Sequence, residues 1–468
     1  MNVALVHYHL RTGGVSRVIK SQSAALTRAG IDHLVLSAGP LDDEIPGAII
    51  PGLDYSREAF LPSRNLYQQL LSCCEMHFGG PPDLWHFHNP TLGKSVHYPE
   101  IVAALAKEDA PLILQLHDLA EDNRPENYSL LKDDLTYPIA PQIHYAFINQ
   151  RDRRLLTEAG VENAHLLPNE VSLPSMGQAL QRDGENLVFY PVRAIRRKNI
   201  GEVLLLAALA PAQTTFAIAL APENPEWRKV HQDWVELARK LELPVHFDVV
   251  DRLAPAQGAA KDYASWLSHA SHLVSTSIAE GFGMTFLEPA LIGKPLLGRD
   301  LPEITSDFSS NGIQPGRLYQ AIPVPINRLD LPELRRQWVT GLATAFQSYG
   351  QPLSPEACEE AWQKFIADDV VDFGELPESF QAQLISQASE DASLFHELRQ
   401  WLEQTLAEKE PTAFPSQLES HTPAANEERL LALYDQARSS VPAPPTWLSG
   451  KKILAQYLKP SRFHFLRS

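Results

Sequence analysis

Ser275-Thr-Ser-Ile-Ala-Glu280-Gly-Phe-Gly-Met-Thr-Phe-Leu-Glu288 is the stretch on which the reading of this chain turns. The apolar run from His272 to Thr276 reads as a buried strand. Thr285 to Ile292 reads as a helix, stopped by Gly293 and Pro295. Gly281 and Gly283 lie between them, so Glu280 sits on a glycine-containing turn and Glu288 about one turn into the helix. Glycines let a ligand approach the backbone closely. The first N–H groups of a helix are unpaired and favour an anion such as phosphate. Carboxylates nearby can accept hydrogen bonds from hydroxyl groups. A ligand carrying both phosphate and hydroxyls, such as a nucleotide sugar, uses every part. Simpler readings stand beside this one: Thr285-x-x-Glu288 has the form of a capping box, and Glu280 that of a solvated loop acid.

Working outward, a second feature lies two strand–helix units upstream. Leu187 to Tyr190 reads as a strand and Ile200 to Leu209 as a helix. The loop between them holds four cations in six residues, Arg193, Arg196, Arg197 and Lys198. The chain is otherwise acidic, with net charge -17. Arginine binds phosphate oxygens bidentately and lysine acts as a point charge, so the loop is a candidate diphosphate clamp. The alternative is a solvated basic turn. Strands are also expected at Thr215–Leu220 and Val245–Val250, with a helix between them at Trp227–Leu241. Both motifs then fall at the carboxyl edge of one sheet, where open α/β folds bind ligands.

The first part of the chain has the same grammar. Asn2 to His7 is an expected strand, Leu10 to Gly14 a turn ending in Gly13-Gly14, and Val15 to Ala29 a helix. The pair is not the G-x-G-x-x-G dinucleotide fingerprint. Further strands are expected at His33–Ser37, Asp83–His88, Pro111–His117, Ile143–Ile148 and Ala164–Leu167. His88, Asn89, His117 and Asp118 therefore fall at strand ends. His117 can bond a sugar hydroxyl or stabilise developing charge, or can be a buried histidine bonded to a neighbouring loop. Gly93-Lys94-Ser95 suggests a P-loop, but the required earlier glycine is His88. His86, His88 and His97 match no zinc-ligand spacing, and no metal is assigned.

The whole chain sets outer bounds. Its 468 residues exceed one hydrophobic core, so two or three domains are expected. The negative balance argues against nucleic acid as a main partner. Three cysteines, two of them adjacent, suggest no disulfide framework and fit a reducing cytoplasm. The N-terminus has no basic region or cleavage site, and no apolar run approaches the roughly 18 residues that span a bilayer. The expected domains are 1–172 and 186–325, joined by a polar linker over 170–185. A helical accessory region over 326–426 follows, then a C-terminal helix and basic tail over 427–468. Within these, Leu331–Tyr349, Pro355–Asp368, Pro377–Lys409 and Glu427–Ser439 read as helical, and Glu410–Asn426 as a loop. The tail from Gly450 to Ser468 holds five basic residues and no acid. It offers contact with a membrane surface or phosphorylated acceptor, or docking on the chain's own acidic body.

Gly13-Gly14, His117-Asp118, Arg193-x4-Lys198 and Glu280-x7-Glu288 around Gly-Phe-Gly-Met together resemble the retaining GT-B glycosyltransferases of family 4, over roughly residues 1–310. The resemblance implies an α/β GT-B fold with two Rossmann-like domains facing a cleft. The first would take the acceptor and the second the nucleotide-sugar donor, and a C-terminal segment would cross back to the first domain. It implies that Arg193 and Lys198 bind the donor diphosphate and Glu288 the ribose. Glu280 would hold the transferred sugar, with Gly281, Phe282, Gly283 and Met284. His117 would lie near the reacting centre and Gly14 near the donor phosphate or the acceptor. Gly13, His88, Asn89 and Asp118 are acceptor-side candidates. No cofactor or metal is implied; the nucleotide-diphosphate sugar is a co-substrate, and the acceptor is a small molecule, a glycan or a lipid-linked group. The chain departs from the family in carrying Val192 before the clamp arginine, where glycine is usual, and in its long C-terminal part. A sugar-nucleotide epimerase or a phosphorylase on the same architecture, or a non-catalytic sugar-nucleotide-binding protein, shares these features.

Overall fold

The computed structural model describes residues 1–132, 134–172, 186–250, 263–407 and 415–467. Most of the expected linker therefore lies outside the described residues. The chain divides into two compact units. The first comprises Met1–Glu170, Ala345–Pro352 and Ser420–Arg462; the second comprises Val171–Thr344, Leu353–Glu419 and Phe463–Ser468.

The first unit is built on a seven-stranded parallel sheet. Its strands are β1 (Asn2–Val6), β2 (Asp32–Ser37), β3 (Gly47–Ile49), β4 (Leu84–His88), β5 (Leu112–Leu116), β6 (Ile143–Phe147) and β7 (Ala164–Leu166). The spatial order is β3-β2-β1-β4-β5-β6-β7. Strands β4, β5 and β6 are buried along their whole length, as expected of parallel strands covered on both faces. One covering layer comes from helix α1 (Gly14–Arg28), whose Ile19 and Leu26 are fully buried. The same layer contains a helix from the far end of the sequence, Pro423–Ser439 (α6, numbered in chain order below). Its Leu430, Leu433, Tyr434 and Ala437 join Val3, Leu5 and Ile113 in one apolar cluster. A last helix, α7 (Gly450–Tyr457), packs against α2 (Gln150–Ala159), where the Tyr457 hydroxyl donates to Asp152 at 2.9 Å.

The second unit carries a six-stranded parallel sheet. Its strands are β8 (Asn186–Arg193), β9 (Thr214–Leu220), β10 (Val245–His246), β11 (His272–Ser275), β12 (Leu296–Arg299) and β13 (Arg317–Tyr319). Their order is β10-β9-β8-β11-β12-β13. Helix α3 (Ile200–Leu209) follows β8 and α4 (Met284–Leu291) follows β11. Helix α3 is buried nearly all round because α5 (Glu378–Glu390) packs on it from the later part of the chain.

Several expected elements are corrected. The run read as a strand to Val250 is regular only over Val245–His246; after Asp248 turns left-handed (φ 54°), Val249 and Val250 again donate to β9, at Ile218 (3.2 Å) and Ala219 (2.9 Å). The stretch Pro377–Lys409, read as helical, forms two helices, Glu378–Glu390 and Ala392–Ala407, because Asp391 leaves helical geometry and caps the second with its carboxylate. The expected loop at Glu410–Asn426 contains a 3-10 helix over Pro415–His421, and α6 begins earlier, at Pro423.

Candidate functional site

Strands β8 and β11 are neighbours in register, His272 beside Val188 and Leu273 beside Phe189. Their carboxyl ends therefore deliver the basic loop and the Glu280 turn to one place. The two segments are fastened together by their backbones. Thr276 donates its hydroxyl to the carbonyls of Lys198 (2.9 Å) and Asn199 (3.1 Å), and Ile278 N–H donates to Arg197 O at 3.0 Å. Tyr190, fully buried on β8, donates its hydroxyl to Lys198 O at 3.1 Å and sits 3.0 Å from the Ser277 hydroxyl. Residues 82 apart in sequence meet as a result: the Lys198 ammonium forms an ion pair with the Glu280 carboxylate, their side chains 10% and 11% exposed.

The electrostatics of this pair follow from burial. Burial pushes the Glu280 carboxyl up, but the adjacent Lys198 and Arg197 outweigh it and hold the group below the usual carboxylate range. Burial also pulls the Lys198 ammonium below the ordinary lysine range, against the opposing pull of Glu280. The solvated-acid reading of Glu280 is thus overturned: its carboxylate is sheltered and kept ionised by a lysine.

The basic loop is not a free clamp. Arg193, at the end of β8, pairs with the exposed Glu223. Arg196 pairs with Glu378 at the start of α5 and lies 5.9 Å from the Trp227 ring. Asn199 takes a left-handed conformation (φ 50°), fixed by its own amide donating to Glu202 (2.8 Å) and by Gln381 donating to its Oδ1 (2.9 Å). Behind them, Arg299 is buried between Glu202 and Asp372, and Tyr319 donates to Glu202 at 2.7 Å. Glu378, Gln381, Arg299 and Asp372 escaped the sequence reading. Nothing local marks them, because their partners lie far away in sequence.

After β11 the turn closes on Gly283, at φ 86°, which caps α4 without a side-chain bond. A side chain there would be strained, and its Cβ would fall 2.9 Å from Phe286 Cδ2. The capping-box reading is corrected: Met284 opens the helix, so Thr285 lies inside it and Glu288 one turn further on. Phe282 is buried against Phe308, whereas Gly281, Met284 and Glu288 are half-buried.

In the first unit, Gly13 and Gly14 form the exposed start of α1. Gly13 is extended (φ 179°), and a Cβ at Gly14 would meet nothing within 4 Å. The fold does not require glycine there, so the bare backbone is available to a ligand. His117 is only 6% exposed, and its Nε2 lies 3.0 Å from His88 Nδ1. The acceptor-side expectation for His88 and Asn89 is corrected by their burial, at 0% and 2% exposure. Asn89, left-handed at φ 54°, accepts from the backbone N–H of His117 (2.7 Å) and Asp118 (3.2 Å). Both residues therefore stand behind His117 and position it. Asp118 is paired with Arg124.

The histidines around His117 are kept neutral. Burial pulls His7, His86 and His117 each down to about 3, and pulls His88 well below its ordinary value. His7 Nδ1 faces the His88 carbonyl at 3.2 Å, which can only accept, so that nitrogen carries the proton. His86 Nδ1 lies 2.7 Å from the Tyr434 hydroxyl of α6. Among the described residues, no group of three or more His, Cys, Asp or Glu converges to hold a metal ion.

No protein-family model matches the chain. It is 27% identical over 351 residues to mannosylglucosyl-3-phosphoglycerate synthase of Petrotoga mobilis, a match covering 66% of this chain and 66%, just under two thirds, of that protein. Among solved structures, a glycosyltransferase from Rickettsia africae superposes with a TM-score of 0.54 at 11% identity, covering 94% of this chain and 99% of that one. Anabaena HepE in complex with UDP gives 0.51 at 13% identity, covering 93% and 100%. At these identities the structural likeness is one of fold, and that fold is two Rossmann-like domains. The likeness is thus to glycosyltransferases, in fold to these solved structures and in sequence over the aligned stretch to the Petrotoga synthase.

Proposed function

We propose that the protein is a retaining glycosyltransferase that moves a sugar from a nucleotide-diphosphate sugar to an acceptor hydroxyl. The observation that carries this reading is the sheltered Lys198–Glu280 pair at the carboxyl edge of the second sheet, beside the glycine-capped start of α4. An ammonium has three donors. One is given to Glu280, which leaves others for the donor diphosphate, with Arg193 exchanging Glu223 for phosphate oxygen. A carboxylate held ionised accepts hydrogen bonds from the hydroxyls of the transferred sugar. Glu288, half-buried on α4, would meet the ribose. In the first unit, His117 and the open backbone at Gly14 are the groups available to a hydroxyl-bearing ligand. Anabaena HepE was solved with UDP, which supports a nucleoside-diphosphate leaving group. The Petrotoga relative is named for a sugar-bearing phosphoglycerate product, which supports a small acceptor.

In the proposed step, the acceptor oxygen attacks the anomeric carbon on the face from which the diphosphate departs. The carbon–phosphate oxygen bond breaks as the new glycosidic bond forms. The leaving diphosphate takes the acceptor proton, and Lys198 and Arg193 stabilise its charge. No residue is needed as a covalent nucleophile.

The test has two arms. Thermal melting against UDP-, GDP- and ADP-sugars should single out one donor, adding about 2.7 kcal/mol at a hundred times its dissociation constant. With that donor, Glu280→Gln and Arg193→Ala should abolish transfer while the fold persists, and NMR of the product should show a retained anomeric configuration. Full activity in Glu280→Gln would sink the assignment.

A further inference from the structure

The first unit holds a cationic cluster that its sugar-binding role leaves unexplained. Three loops beyond the carboxyl ends of its strands bring together Arg57, Lys94 and Arg124, with Arg11 nearby. Each arginine has a carboxylate of its own: Arg11 pairs with Asp54, Arg57 with Glu126 and Arg124 with Asp118. Lys94 has none. Among the described residues it forms no ion pair, and its ammonium lies 5.2 Å from the centre of the Tyr55 ring. Lys94 is therefore the cation of this cluster that lacks a carboxylate of its own, in a chain whose overall balance is -17.

The arrangement is built rather than incidental. Ser56 N–H donates to Lys94 O at 2.8 Å and Val96 N–H donates to Ser56 O at 3.0 Å, so the loop carrying Tyr55 and Arg57 is bonded to the loop carrying Lys94. Gly93 (φ 68°) packs so tightly on the turn at Asn127 that a Cβ would fall 2.1 Å from the Asn127 carbonyl oxygen. That contact fixes Lys94 beside the turn that begins after Arg124. Arg124 is itself held, donating to the carbonyls of Leu119 (3.0 Å) and Asp122 (3.2 Å), and its N–H donates to the Tyr349 hydroxyl at 2.6 Å. Tyr55 is half-exposed, its ring braced edge-on by Tyr8 (5.2 Å) and His9 (4.8 Å). Burial, together with the neighbouring Arg124 and Arg57, lowers the Lys94 ammonium from its ordinary value, against the opposing pull of Asp118 and Glu126. A half-buried cation crowded by two guanidinium groups is stabilised by an anion in direct contact, and the nearby carboxylates, Asp118 and Glu126, are each engaged by an arginine.

We propose that Lys94, flanked by Arg57 and Arg124 and standing on Tyr55, binds an oxyanion carried by the acceptor, so that the enzyme's acceptor is a phosphorylated or carboxylated sugar rather than a neutral one. This deepens the glycosyltransferase reading and rests on it for the word acceptor, but not for the site. A phosphate or carboxylate oxygen at Lys94 gives the ammonium the ion-pair partner it lacks, and Tyr55 gives the sugar ring an apolar face to lie on.

The full chain is titrated calorimetrically with glucose 6-phosphate, glucuronate and glucose, with and without UDP, and compared with Lys94→Met and Lys94→Arg. Met keeps an apolar stem over Tyr55 and removes only the charge. The two anionic sugars are expected to bind at least tenfold more tightly than glucose. That preference should vanish in Lys94→Met and largely return in Lys94→Arg, with melting temperatures that match the wild type. Tighter glucose 6-phosphate than glucuronate assigns a phosphate ester; equal binding assigns any oxyanion. Transfer assays with the same acceptors should show a raised KM for the anionic ones in Lys94→Met. Equal binding of all three sugars by the wild type, or an anion preference unchanged in Lys94→Met, overturns the proposal. Failure of the chain to bind any donor would sink the glycosyltransferase reading alone, because the Lys94-dependent anion preference is read without a donor.

Discussion

The two sheets end in opposite chemistry. At the carboxyl edge of the second, a lysine and a glutamate are sheltered together with their charges intact. At the carboxyl edge of the first, four histidines are buried and kept neutral. Both edges are polar regions removed from water, and each meets the penalty for burying charge differently. In the second unit an opposite charge arrives from the adjacent strand. In the first the groups give up their protons and use their ring nitrogens as hydrogen-bonding struts. The difference fits the work proposed for each. A leaving diphosphate needs fixed positive charge, whereas a sugar hydroxyl needs a positioned, uncharged donor or acceptor.

The contrast is most easily broken with acid. His7, His86 and His117 titrate near 3 in the fold and near 6.5 when unfolded, so the unfolded chain binds more protons between those values. Their contribution is complete above pH 6.5 and is lost as pH falls, at about 1.4 kcal/mol per pH unit for each histidine. Hydrogen exchange of the β4 and β5 amides, corrected for intrinsic rates, should therefore accelerate steeply between pH 6.5 and 5, ahead of β8 and β11. Equal protection losses in the two sheets would show that the histidines are solvated.

A smaller effect should follow from breaking the charged pair. Lys198→Met leaves the Glu280 carboxylate buried without its partner and should cost about 3–5 kcal/mol in urea denaturation. Lys198→Met combined with Glu280→Gln should recover much of that loss. If the double variant is no more stable than the single, the two charges are screened by water rather than coupled.

The smallest test separates two glycines. Gly283→Ala must hold a side chain at φ 86° and should lose about 1–2 kcal/mol. Gly14→Ala meets open space at a helix start and should hold or gain up to about 1 kcal/mol in melting experiments. Its transfer activity should nevertheless fall if a ligand needs the bare backbone.

How much of this was legible in the sequence depends on how local the cause is. Parallel strands buried on both faces are continuous apolar runs, so β4, β5, β9 and β11 were readable within a residue or two. The Glu280 turn and the basic loop were readable as motifs, and sheet logic brought them to one edge. Their direct pairing was not, because it depends on Thr276 and Tyr190 fastening the two backbones together. Glu378 and Gln381 were hidden for the same reason, their partners being 182 residues away in each case. His88 looked accessible at a strand end. Its burial depends on Asn89 folding back onto His117, and on a neighbouring imidazole, His86, being covered by Tyr434, 348 residues later.

That last contact bears on how the protein is made. Helix α6 lies near the end of the sequence, yet Leu430, Leu433 and Tyr434 belong to the core around the very first strand. During synthesis the seven strands of the first unit emerge long before the layer that covers them. Until residues past 437 clear the ribosome, Val3, Leu5 and Ile113 lack part of their apolar cover and His86 lacks its hydroxyl partner. The nascent first unit is thus an incomplete sheet waiting for its own tail, a state in which exposed apolar surface favours chaperone capture.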